Sequence, residues 1–199
     1  MARNRKWEEE FDPDEYDDYK SAEVERERLR QENSTDCWIY IGLDIRHNDE
    51  AKIGLTSGKL GTRASSSQNP YYTLLCAFKV REGTSPAKLA EIENSVKKML
   101  ARNYDRIEHY GSQMKSEWFS VSPQEMREEV DFFLFENYGT YMDCYYCHDR
   151  GRGIINGWEN TRLINGRRNL RYGPRDLSNP PVSFECLTPP GCGDDCDCW

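Results

Sequence analysis

Two short β-type runs in this 199-residue chain set a phenol, an ammonium and two glycines on one surface. In residues 37–43 (CWIYIGL), Ile39, Ile41 and Leu43 share a face, and in residues 51–55 (AKIGL), Ala51, Ile53 and Leu55 do, because strand side chains alternate. The polar stretch between them reads as the loop of an antiparallel hairpin. With Leu43 opposite Ala51, Tyr40 pairs with Gly54 and Lys52 with Gly42, so Tyr40 and Lys52 are diagonal neighbours on the face away from the apolar set. Each stands beside a glycine that leaves the backbone uncovered, a surface that accommodates an anion such as phosphate. Further along, Leu89, Val96 and Leu100 lie at helical spacing from Glu93, which puts Glu93 on their inward stripe. A carboxylate on a buried face needs a partner, and a metal or another cation is the usual one; Lys97, at i+4, is within reach as an alternative. Glu91 falls on the polar face instead.

The elements that must position these groups are legible as well. Residues 72–80 read as a third strand, with Leu74, Cys76, Phe78 and Val80 on one face. Ser85-Pro86 opens a helix running to about Arg102, with Ser as N-cap and Pro at the first helical position. Residues 116–121 (SEWFSV) are a further strand-like piece. Ser122-Pro123-Gln124-Glu125 is a capping box that starts a helix burying Met126, Val130, Phe133 and Leu134. Residues 37–138 therefore predict a compact α/β domain, a small antiparallel sheet of about three strands flanked by helices.

The order IYIG (39–42), KIGLT (52–56), Arg63 and the helical Glu93 resembles the GIY-YIG nuclease superfamily, and more narrowly its phage-type T5orf172 branch, where the second block commonly reads KIG. Glu117-Trp118-Phe119 matches an E-W-F element that this branch places late in the domain. The resemblance covers roughly residues 37–135. It implies that Tyr40 is the first motif tyrosine, that Lys52 occupies the slot of the second, that Arg63 is the arginine of the first helix, and that Glu93 holds one Mg²⁺ or Mn²⁺ ion. The implied activity is hydrolysis of a DNA phosphodiester, with water attacking in line and a tyrosine helping to activate it. The residue types suit that chemistry on their own terms. A hard cation on a carboxylate polarises a phosphoryl oxygen, and an arginine offsets charge building on the phosphate. Tyr40, with an unperturbed pKa near ~10, needs help from Lys52 or the metal to act as a base. The position four after Glu93, often His in this branch, is Lys97. A second reading on the same fold is a catalytically inactive nucleic-acid-binding protein.

The flanks differ in chemistry from the core. The chain carries 27 basic and 35 acidic residues for a net charge of −8, and residues 1–36 hold 13 acidic against 7 basic side chains. They read as a solvated acidic tail with a transient helix that only Val24 and Leu29 could anchor. Residues 139–199 read as an irregular Arg- and Cys-containing segment. Its arginines Arg150, Arg152, Arg162, Arg167, Arg168, Arg171 and Arg175, with a single acid among them, Glu159, predict either a DNA arm contacting phosphates or a counter-charge for the acidic tail. Trp158 and Tyr172, interleaved with them, are candidates for stacking on exposed bases. Cys144 and Cys147, with Cys192 and Cys196, are either a Zn²⁺ site of two knuckles or free thiols, while Cys37 and Cys76 read as core residues. No apolar run approaches the ~18–20 residues of a membrane span, and no secretory h-region follows Met1. The expectation is a cytoplasmic protein whose partner is DNA and not a membrane.

Overall fold

The computed structural model describes residues 11–15, 19–65, 69–148, 151–161 and 163. The expected hairpin forms from β1 (Trp38–Asp44) and β2 (Ala51–Thr56) in the expected register, with Tyr40 opposite Gly54 and Gly42 opposite Lys52. On the other side of β1 lies β3 (Tyr72–Lys79), also antiparallel. A short helix, α2 (Leu60–Ser65), connects β2 to β3 and packs on the latter. It follows α1 (Tyr19–Glu32), which precedes the sheet. After β3 come α3 (Pro86–Asn103), β4 (Arg106–Glu108), β5 (Lys115–Phe119) and α4 (Pro123–Tyr138). Both long helices begin as the sequence indicates. The Ser85 and Ser122 hydroxyls accept hydrogen bonds from the Lys88 and Glu125 backbone N–H groups at 3.3 and 3.2 Å, satisfying donors that a helix start leaves orphaned.

The sheet is wider than three strands. Its order is β4-β5-β2-β1-β3-β8, where β8 (Gly157–Glu159) pairs with β3 from within the Arg-rich segment. Upstream of β8, β6 (Cys144–Cys147) and β7 (Arg152–Ile155) form a separate two-stranded ribbon. The region after residue 138 thus contributes to the fold, with Met142 and Ile155 joining the main core. A three-residue strand within a run of Gly, Asn and Arg carries almost no periodic signal.

The main core lies between the sheet and the inward faces of α3 and α4, with Ile39, Ile41, Leu43, Ile53, Leu89, Ile92, Val96, Leu100, Met126, Val130 and Leu134 all buried. The opposite face carries a smaller, aromatic cluster of Trp38, Tyr40, Leu60, Tyr72, Leu74, Ala77 and Trp158. One irregularity decides what lies on that face. The β1–β3 register shifts between Ile41 and Gly42, so that Cys76 opposes Ile41 but Leu74 opposes Gly42. Leu75 is the extra residue of a β-bulge. Leu74, expected with Cys76 and Phe78 in the main core, therefore turns to the aromatic side, and Tyr72 turns with it.

Helix α1 packs against α2 and β8 instead of standing free. Its buried residues are Ala22, Glu25 and Arg28, one helical face, whereas Val24 is exposed. Arg28 lies between two carboxylates, donating through Nε to Glu25 at 2.7 Å and through a terminal nitrogen to Glu32. Charged residues read as solvated are here buried as a matched set, which is how a buried charge is tolerated.

Candidate functional site

Tyr40 lies flat across β2. A Cβ built on Gly54 would stand 2.5 Å from both the ring carbon and the oxygen of the Tyr40 phenol, so the glycine is there to make room for the ring. Tyr72 does the same over Gly42, its hydroxyl 2.2 Å from where a Cβ would be. The glycines thus do not leave bare backbone for an anion. They form the floor on which two tyrosines rest. Both rings are buried, at 6 and 8% exposure, and the Tyr72 hydroxyl has no hydrogen-bond partner among the described residues. The Tyr72 ring meets Trp118 edge-on at 5.9 Å, and the Lys52 ammonium lies 5.8 Å from the Tyr72 ring centre.

Around these phenols gather charges from three further elements. Arg63, on α2, donates through Nε to the Thr56 hydroxyl at 2.9 Å, and Thr56 is itself buried at the end of β2. Glu93 and Lys97, one turn apart on α3, are joined at 2.8 Å. Lys97 also reaches Glu117 Oε1 at 2.8 Å, and the other oxygen of Glu117 lies 3.3 Å from Lys52. Strands β2 and β5 pair only at Ala51–Phe119 and Lys52–Trp118. Glu117 is the next residue beyond that last pair, which frees it to reach both lysines. The four residues picked out in the sequence, Tyr40, Lys52, Arg63 and Glu93, are brought to one region by four separate elements, β1, β2, α2 and α3. Glu117, Lys97 and Tyr72 complete it. Glu93 sits at the border of the inward stripe of α3, half-buried, and Lys97 is the partner that its position called for.

The electrostatics confirm a shared environment. Burial pushes the Tyr40 phenol above its ordinary pKa, Glu117 and Glu93 push the same way, and Arg63 and Lys97 oppose them. Tyr72 is raised further by burial and by the neighbouring Tyr40 and Glu117. Burial alone would raise the Glu117 carboxyl, yet it ends below the usual carboxylate range because the hydrogen bond and charge of Lys97 and the charge of Lys52 outweigh burial. Lys97 is held above the usual ammonium value. Its burial works against the charge, and the two carboxylates more than offset that. The cations that favour a Tyr40 phenolate are thus Arg63 and Lys97, while Lys52 is engaged with Glu117.

For a divalent ion, the relevant observation is that two carboxylate oxygens converge on one cationic position, the Lys97 nitrogen. Hard oxygen donors of this kind suit Mg²⁺ or Mn²⁺, which retain several waters. Among the described residues no group of three or more His, Cys, Asp or Glu side chains gathers, here or elsewhere. Cys144 and Cys147 lie on β6, three residues apart, so their side chains leave opposite faces of the strand; Cys144 approaches the Gly139 carbonyl. Cys192 and Cys196 fall outside the described residues, as do Arg150, Arg162, Arg167, Arg168, Arg171, Arg175 and Tyr172. Arg152 is exposed at the start of β7, opposite Cys147. Trp158, a candidate for base stacking, is 4% exposed and packs in the aromatic cluster, so it has no face to offer a base. Cys76 is a core residue as expected, its thiol pushed up to about 12 by burial. Among the described residues no helix is long and apolar enough to cross a membrane.

In comparison with known proteins, the family model of the T5orf172 domain matches residues 37–134. No curated protein and no solved structure matches the chain.

Proposed function

We propose, from the match of residues 37–134 to the family model of the nuclease-associated T5orf172 domain, that the chain is a metal-dependent DNA endonuclease hydrolysing phosphodiester bonds at the Tyr40–Arg63–Glu93 patch. The observation that carries the reading is the assembly itself: a buried phenol, a tethered guanidinium and a carboxylate from separate elements lie within electrostatic reach of one another.

Each residue has a part to play in that reaction. Arg63, held by Thr56, binds a non-bridging phosphate oxygen and offsets the charge that grows there as water adds to phosphorus and the opposite P–O bond breaks. Tyr40 orients the attacking water. To take its proton, the phenol must first lose its own, and Arg63 and Lys97 are the charges that favour this against burial. Glu93, with Glu117 nearby, would hold Mg²⁺ or Mn²⁺, whose contribution when bound is to polarise the phosphoryl oxygen. Lys52 keeps Glu117 in place. The arginines of the C-terminal segment supply sequence-independent contacts to the DNA backbone.

Comparing the unaltered chain with Tyr40→Phe on supercoiled plasmid tests the reading. With Mg²⁺ the unaltered chain is expected to nick, and the variant to nick about a hundredfold more slowly or worse, the lower end of what a positioned acid–base group contributes. Both are expected to retard DNA equally in a gel. A chain that shifts DNA but never nicks it belongs to the alternative, an inactive binding protein on the same fold.

A further inference from the structure

Lys97 stands where a bound cation would. Its nitrogen is 2.8 Å from Glu93 on its own helix and 2.8 Å from Glu117 on β5, and these two carboxylates have no sequence relation that would bring them together except this point. We propose that Glu93 and Glu117 form a two-carboxylate site for a divalent cation and that Lys97 is its resident counter-ion, displaced when the metal binds. The inference rests on the reading of Glu93 as a metal carboxylate and adds to it a second ligand and a competitor.

The geometry and the charge balance both favour the exchange. Two oxygens that share a neighbour at 2.8 Å need only small side-chain rotations to reach the ~2.1 Å of a magnesium–oxygen bond. The lysine stem is long and flexible, and the Lys97 side chain keeps some contact with solvent at 18% exposure. With two carboxylates on one side and Lys97 and Lys52 on the other, the group is neutral as it stands. A divalent ion neutralises the same two carboxylates and releases a positive charge at the place where a DNA phosphate would arrive. Glu117 is suited to the task because Lys52 already fixes its other oxygen.

The measurement is Mn²⁺ affinity of the full chain without DNA, by calorimetry or by loss of the free-ion paramagnetic resonance signal. Lys97→Met and Lys97→Gln are expected to tighten Mn²⁺ binding at least tenfold, and Glu117→Gln to weaken it at least tenfold, with melting curves confirming that each is folded. Lys98→Met removes the same charge one residue away on an exposed position and is expected to change affinity less than twofold. Unchanged affinity in Glu117→Gln, or in both Lys97 variants, overturns the inference. Equal tightening by Lys98→Met does so too, since that is a diffuse charge effect. If Glu93→Ala loses Mn²⁺ while Glu117→Gln keeps it, the second ligand falls and the nuclease reading stands. If the expected Mn²⁺ pattern appears in a chain that never cleaves plasmid, the cation site stands and the nuclease reading falls.

Discussion

Glu93→Ala is expected to abolish plasmid nicking, a loss of about a thousandfold or more, while leaving the melting temperature and the gel shift of DNA nearly unchanged. The loss follows from what the carboxylate does. Removing a charged group that stabilises a phosphoryl-transfer transition state costs about 10²–10³ in rate, and losing the anchor of a Lewis-acid metal costs at least as much. A thousandfold corresponds to about 4 kcal/mol of barrier. Stability is spared because Glu93 sits at the border of the helix's buried stripe, its side chain 22% exposed, and its ion pair with Lys97 is only part-buried. A part-buried i,i+4 pair of this kind contributes on the order of 1 kcal/mol or less, and Lys97 keeps Glu117 as a partner. Nicking by Glu93→Ala at the rate of the unaltered chain would remove the metal carboxylate from the site.

Gly54→Ala is the second. Gly54 has no need of an unusual backbone; it needs to be empty above its Cα. An added methyl would sit 2.5 Å from the Tyr40 phenol, and the ring is hemmed in by the aromatic cluster, with Ala77 directly opposite on β3. Overpacking of this kind costs about 1–3 kcal/mol, and at about 2–4 °C per kcal/mol for a domain of this size the melting temperature falls by several degrees. The larger effect falls on activity. A catalytic group misplaced by about 1 Å can lose about a hundredfold in rate, so Gly54→Ala should nick nearly as poorly as a chain without the Tyr40 hydroxyl. Because the clash is with that ring, Tyr40→Ala should suppress the stability cost: Gly54→Ala made in a Tyr40→Ala background is expected to cost much less than in the unaltered chain. Equal costs in both backgrounds would show that the glycine serves another neighbour.

Much of the site is legible because it rests on local periodicity. Strand alternation and the hairpin register alone pair Tyr40 with Gly54 and Lys52 with Gly42; the helical spacing of Leu89, Val96 and Leu100 assigns Glu93 to the inward stripe, and the structure puts it at that stripe's border. Tyr72 escaped for a specific reason. Strict alternation from Val80 and Phe78 assigns it to the main core, and only the bulge at Leu75 turns it to the aromatic face. A bulge is one residue wide and has no composition that announces it. Glu117 escaped as a site residue because its role depends on how far β5 stays paired with β2, a tertiary matter. Helix α1 hid its packing for a third reason. Its buried face is made of Ala22, Glu25 and Arg28, and hydropathy counts an ion-paired glutamate as it counts a solvated one.

The proposed hydrolysis is tested most directly by incubating the purified chain with supercoiled plasmid in Mg²⁺, in Mn²⁺ and in excess EDTA. Open-circular and linear DNA appearing with either metal and absent with EDTA is the expected result. Intact plasmid under all three conditions, with the DNA still retarded in a gel, would contradict it.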